Sequence, residues 1–161
     1  MKLYYDSYDC ILGKIYIVAD ESGIKNIELV EDKWQELIEK QSVDKSSNIC
    51  YEAVKQIDEY FSGKRKKFDL HLSIAGTEFR KQVWSELMNI PYGKVISYSE
   101  LAEAIGNPKA VRAVGQANRA NPLPIIIPCH RVIGKDKSLV GYAGKRIDIK
   151  EKLLNLEGVI L

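Results

Sequence analysis

The chain has 161 residues, 45% hydrophobic and 29% charged with 5 prolines, a composition that excludes disordered, collagen-like and disulfide-framework classes. Its net charge of +2 hides a split: residues 1–63 carry 7 Lys+Arg against 13 Asp+Glu, while residues 64–161 carry 17 against 9 and hold all six arginines. No apolar run approaches the ~20 residues of a membrane span and Met1-Lys2-Leu3-Tyr4 opens no signal-peptide core, so a cytoplasmic protein with an acidic scaffold and a basic, polyanion-facing part is expected.

In chain order, Lys2–Tyr5, Lys14–Ala19 and Ile24–Leu29 are β-prone and separated by Gly13 and by Glu21-Ser22-Gly23, which predicts a three-stranded antiparallel meander. Residues 49–62 predict a helix, because Val54, Ile57, Tyr60 and Phe61 recur at 3.6 spacing and Gly63 follows. A basic connector, 64–76, marks the expected boundary between an N-terminal scaffold domain, 1–72, and a second domain, 73–161. There Thr77 is an N-cap before the apolar stripe Phe79, Val83, Trp84, Leu87 and Met88, stopped by Pro91. Ser99–Ile105 is a short helix closed by Gly106, and Asn107-Pro108 opens another that runs to about Arg119.

Projected at 100° per residue, that last helix puts Ala110, Val111, Val114 and Ala117 on one side and Lys109, Arg112, Gln116 and Arg119 on the other. Helix, glycine turn and second helix with a basic outer face describe a helix-turn-helix. The small Ala113, Gly115 and Ala120 keep the second helix thin enough to approach DNA closely.

The chemistry concentrates at Ile127-Pro128-Cys129-His130-Arg131-Val132. The chain has only two histidines, His71 and His130, and one of them stands beside a cysteine. A thiolate is a strong nucleophile and an imidazole can take its proton. Pro122, Pro124 and Pro128 predict a rigid, extended lead-in. In an extended chain Cys129 and His130 point to opposite sides, so the proton needs a water relay or a local turn. Glu157 is a carboxylate available to orient the imidazole. Cys10, Cys50 and Cys129 have no CxxC spacing, and neither a disulfide framework nor a metal site is expected. These residues alone leave open a Cys-His hydrolase, a winged-helix regulator and a group-transfer protein acting on DNA.

Phe79–Glu157 resembles the O6-alkylguanine-DNA alkyltransferases, the methylated-DNA–protein-cysteine methyltransferases. The resemblance rests on Phe79-Arg80-Lys81-Gln82-Val83-Trp84, Gly93-Lys94-Val95-Ile96-Ser97-Tyr98, Gly106 through Gly115, Asn121-Pro122, Ile127 through Val132, Gly141-Tyr142-Ala143-Gly144 and Lys150-Glu151 through Glu157. It implies an α+β protein: a small N-terminal antiparallel sheet with helices, ribonuclease H-like, and a mostly helical C-terminal domain with a winged helix-turn-helix. It implies direct-reversal repair, in which an alkyl group moves irreversibly from O6-alkylguanine, and O4-alkylthymine, in double-stranded DNA onto Cys129, one lesion per protein molecule, by a monomer with no cofactor.

By position, the resemblance makes His130 the base acting through water, Glu157 its orienting carboxylate, Asn121 a bridge to the helix-turn-helix and Tyr98 the acid for the leaving guanine. It makes Arg112 the residue that fills the stack, with Lys109, Ala113, Gln116, Arg119 and Tyr98 as DNA contacts. Backbone groups of Cys129, Val132 and Ala143 would read the flipped base, and Tyr142 would wall the pocket. Asn118 departs from the apolar residue of some relatives and is expected to alter packing against DNA. His71 matches at most one position of a zinc set. The chain as given carries no transcription-activating extension, so a single function is expected. A lesion-binding relative without an acceptor cysteine is the remaining alternative, and Cys129 argues against it.

Overall fold

The structure is a computed structural model and describes residues 1–139 and 146–161. It divides into two compact units, Met1–Ala75 and Gly76–Leu161. In the first, β1 (Leu3–Cys10), β2 (Gly13–Asp20) and β3 (Gly23–Glu28) form the expected antiparallel meander. A fourth strand, β4 (Val43–Lys45), adds to β1 in parallel, so the sheet is mixed, in the order β3-β2-β1-β4. The sequence reading lacked this strand because it is three residues long, with Val43 half-buried and Asp44 and Lys45 exposed, and carries no alternation.

It also lacked the helix α1 (Glu31–Lys40), although Glu31 and Asp32 suit a helix N-terminus. Trp34 is the anchor of α1: it stacks on Tyr16 at 4.3 Å and joins Leu3, Val18 and Tyr5 on one face of the sheet. The helix α2 (Tyr51–Phe61) covers the other face, where Phe61 stacks on Tyr8 and Tyr8 donates to Asp58 Oδ1 at 2.7 Å. The chain after α2 returns to the sheet edge, with Ile24 N donating to His71 O at 2.9 Å and Ser73 Oγ to Asp20 Oδ2 at 2.6 Å. His71 therefore serves this unit through its backbone. Among the described residues no three His, Cys, Asp or Glu side chains converge as metal ligands.

The second unit opens with α3 (Glu78–Leu87), capped by Thr77, whose hydroxyl accepts from Arg80 N. Val83, Trp84 and Leu87 bury its inner face, as the stripe predicted. A two-residue strand, β5 (Ile96–Ser97), runs into α4 (Tyr98–Ala104) through a capping box between Ser97 and Glu100. Gly106, at φ 79°, ends α4 with bonds from Gly106 N to Glu103 O and Asn107 N to Ala102 O. The next helix, α5, covers Val111–Arg119, starting later than Asn107. Pro108 lacks an N–H, and residues 107–110 close a separate turn, Ala110 N to Asn107 O at 3.0 Å, which places Lys109 ahead of the helix.

Cys129–Arg131 form a single 3-10 turn that leads into β6 (Val132–Ile133), parallel to β5. The final helix, α6 (Ile147–Leu156), is followed by Glu157 at its C-cap and by Gly158 at φ 78°. No described helix is long and apolar enough to cross a membrane.

Candidate active site

The lead-in to Cys129 is coiled, not extended. Ile127 N donates to Leu123 O and Cys129 N to Ile127 O, both at 2.8 Å. The φ that proline imposes is as compatible with turns as with extended chain. Asn121 clamps this loop: its Nδ2 donates to Ile127 O at 2.8 Å and its Oδ1 accepts from Leu123 N at 2.9 Å. Asn121 thus shapes the loop that presents Cys129. Ile125, a β-branched residue at φ 78° and fully buried, stores backbone strain of about 1–3 kcal/mol in that loop.

The 3-10 turn supplies the local bend needed next to Cys129 and sends His130 into the interior. His130 and Glu157 side chains are wholly buried, and imidazole Nε2 lies 2.7 Å from Glu157 Oε2. Arg131 grips the same carboxylate with two donors, Nε to Oε1 at 2.9 Å and Nη2 to Oε2 at 3.0 Å, while Nη1 donates to Ile90 O at 2.7 Å. Gly93 N adds a fourth donor at 3.1 Å. With Arg131 bound bidentately, Glu157 is ionised and only accepts. The hydrogen of neutral His130 therefore sits on Nε2, and Nδ1 keeps its lone pair. That Nδ1 is buried and has no hydrogen-bond partner within the described protein. Burial holds the His130 pKa below 6.5, outweighing the pull of Glu157, with Arg131 and Lys150 acting in the same direction as burial. The imidazole is neutral at neutral pH, and its free lone pair is a base.

The acid side of the site comes from α4 and α6. The β5–β6 ladder pairs Ser97 with Ile133 and so ties the start of α4 to the segment following Cys129. Tyr98, first residue of α4, receives a hydrogen bond from Lys150 Nζ at 3.4 Å. Lys150 is completely buried, which lowers its pKa to about 8, with nearby Cys129 opposing the shift. It stands seven residues before Glu157, two turns along the same face of α6. Tyr98 is pushed up to about 12 by burial and by Cys129, and is drawn back by Arg119 and by a hydrogen bond from Asn118. Cys129, His130, Glu157, Tyr98 and Lys150 thus surround one buried locus.

Arg112, Ala113, Gln116 and Arg119 are exposed on α5, and Lys109 is exposed in the turn before it. Val114, Ala117 and Asn118 face inward, and Trp84 Nε1 anchors α5 by donating to Ala117 O at 2.8 Å. Asn118 corrects the expectation that it packs against DNA: it is buried and its Nδ2 donates to Cys129 O at 3.3 Å. Val132 is buried at the start of β6. Tyr142 and Ala143 lie outside the described residues. The sequence reading assigned no role to Arg131 or Lys150, although both stood inside matched segments. An arginine beside the Cys-His pair was the available signal for Arg131, and the i, i+7 spacing to Glu157 was that for Lys150.

Comparison with known proteins places this geometry. The family described as 6-O-methylguanine DNA methyltransferase, ribonuclease-like domain, matches residues 3–74, and its DNA binding domain matches residues 78–159. The chain is 46% identical over 159 residues to the constitutive methylated-DNA–protein-cysteine methyltransferase of Bacillus subtilis (strain 168), covering 97% of this chain and 96% of that one. It is likewise 46% identical to a methylated-DNA–protein-cysteine methyltransferase of Methanosarcina acetivorans, covering 97% and 99%. Among solved structures, Mycobacterium tuberculosis OGT in complex with DNA superposes with a TM-score of 0.86 at 39% identity, covering 96% of this chain and 92% of that one.

Proposed function

The chain belongs to the 6-O-methylguanine DNA methyltransferase family, and from that membership we infer that it repairs alkylated DNA by direct reversal, moving the alkyl group of O6-alkylguanine onto Cys129. The observation that carries the assignment to these residues is the buried His130, locked by Glu157 at Nε2 and offering an unpartnered Nδ1 next to the cysteine in sequence.

A water at Nδ1 relays the Cys129 proton to His130, and Glu157 stabilises the imidazolium that forms. The sulfur attacks the alkyl carbon, the S–C bond forms and the C–O6 bond breaks. The electron pair leaves on the purine, which takes a proton from Tyr98. Thiol and alkylguanine become thioether and guanine, so atoms and charge balance without a cofactor. A thioether is not reduced by thiols, and each molecule acts once. Lys150, charged below about pH 8, favours negative charge on both the sulfur and the phenol oxygen.

The lesion reaches this buried locus only by leaving the duplex, at a cost of a few kcal/mol that is smaller for a poorly paired base. The exposed side of α5 meets the DNA: Lys109, Gln116 and Arg119 contact the backbone, Ala113 permits close approach in the minor groove, and Arg112 occupies the gap in the stack. Backbone groups of Cys129 and Val132 read the base. Asn121 acts by holding the loop. O4-alkylthymine is a second substrate on this reading, and the protein works as a cytoplasmic monomer.

The test is intact-protein mass spectrometry after mixing with a duplex carrying one O6-methylguanine. The expected result is a gain of one methyl group for one hydrogen, saturating at one per protein and mapping to the Cys129 peptide. Cys129→Ser should abolish the gain while retaining DNA binding. A methyl group found on Cys10 or Cys50 would overturn the assignment.

A further inference from the structure

A tight turn between α3 and β5 touches the buried ion pair from its outer side. Lys94 N donates to Pro91 O at 3.1 Å, and Gly93 occupies the third position of this turn at φ 79°, a left-handed conformation that suits glycine. A Cβ on Gly93 would stand 3.3 Å from Glu157 O, so the glycine also permits the close approach by which Gly93 N donates to Glu157 Oε1 at 3.1 Å. Tyr92, half-buried beside it, makes two further contacts. Its hydroxyl donates to Leu156 O at 3.4 Å, a carbonyl at the end of α6 with no acceptor role inside the helix. Its ring faces Arg131, whose Cζ lies 5.7 Å from the ring centre, a cation–π contact. Arg131 Nη1 donates to Ile90 O, just before the turn, at 2.7 Å. Tyr92 therefore bears on both members of the ion pair, on Arg131 through its ring and on the residue before Glu157 through its hydroxyl.

We propose that Tyr92 is a positioning residue for the transfer reaction, holding Arg131 and the end of α6 so that the Glu157 carboxylate stays aimed at His130. This role rests on the reading of His130 as the base and deepens it by naming what holds the base's carboxylate. No bond changes beyond those of the transfer itself. The charged groups that face His130 are Glu157 and Lys150 from α6 and Arg131 from its own turn, and of these only Glu157 favours the imidazolium. Those that face Tyr92 are Glu157 and Arg131. A carboxylate that drifts from Nε2 leaves His130 a weaker base, and Cys129 must then lose its proton unaided.

The test follows single-turnover methyl transfer from duplex O6-methylguanine to the full chain, from about pH 6 to about pH 9, a span that includes the ordinary thiol value of about 8.5. Tyr92→Leu is expected to slow transfer by about tenfold at neutral pH, a part of the 10²–10⁴ that a positioned base supplies, and to recover toward the parent rate as rising pH ionises the thiol without help. Tyr92→Phe keeps the ring over Arg131 and should lose about threefold, with the same recovery, the lower end of what one hydrogen bond is worth. Duplex affinity, measured alongside, reports folding, and if Tyr92→Leu fails to bind, the profile of Tyr92→Phe decides. Slowing by one factor at every pH would show a merely structural role, and an unchanged profile would show none; either overturns the proposal. His130→Gln separates this role from the reading beneath it. If that variant transfers at the parent rate, His130 is not the base and both fall. A slow His130→Gln beside an unaffected Tyr92→Leu removes Tyr92 alone.

Discussion

Glu157 accepts four hydrogen bonds, from His130, from two nitrogens of Arg131 and from Gly93 N. A carboxylate so held orients the imidazole and offsets a buried guanidinium. Glu157→Gln keeps the shape but leaves Arg131 without its counter-charge, a change that costs about 3–5 kcal/mol in buried pairs. Chemical denaturation should register that loss, and single-turnover transfer should slow by about tenfold or more, because His130 loses the anion that stabilises its charged form. At this scale the sequence was legible where residue types are rare. A cysteine beside one of two histidines marked the reaction centre, and Glu157 was found as its carboxylate. Arg131 and Lys150 were not legible as parts of the site, since a charged residue reads as solvated until its burial is known.

At the scale of elements, α5 carries two different surfaces. Its outer side presents Arg112, Ala113, Gln116 and Arg119, and its inner side presents Val114, Ala117 and Asn118. Arg112→Ala should therefore slow repair in duplex DNA by about tenfold or more, the worth of ~1.4 kcal/mol, and leave the reaction with free O6-benzylguanine nearly unchanged. Equal losses on both substrates would place Arg112 in the chemistry and not in extrahelical capture. Periodicity predicted this helix and its faces but not its start, because the turn at 107–110 is a local hydrogen-bonding choice. The three prolines before Cys129 were legible as stiffness, not as direction. Asn121 and the left-handed Ile125 set the direction, through contacts within a loop that has no period.

For the molecule as a whole, buried ionisable groups set the pH response. His130 is held below its ordinary value by burial, so below about pH 6.5 an unfolded chain binds a proton that the folded one resists. Stability contributed by the neutral imidazole is complete above that pH and is lost progressively as pH falls. Denaturation midpoints measured from pH 8 to pH 5 should decline below about 6.5, and His130→Gln should flatten that decline. The charge split persists in weaker form between the two units, with 11 Lys+Arg against 14 Asp+Glu in Met1–Ala75 and 13 against 8 in Gly76–Leu161: the acidic one is a mixed sheet between α1 and α2, and the basic one holds the helix-turn-helix and the reactive cysteine.

The sequence by itself determined the meander, the helix-turn-helix, the reactive pair and the family, because each is written in local residue patterns that need no distant partner. Only the tertiary structure decided that α6 returns Lys150 to Tyr98 and Glu157 to His130, that Arg131 shares the carboxylate, and that Asn118 turns inward to the Cys129 carbonyl. Those relations join residues up to 52 positions apart, and burial, which sets the charge state of each group, exists only once the chain has closed around them.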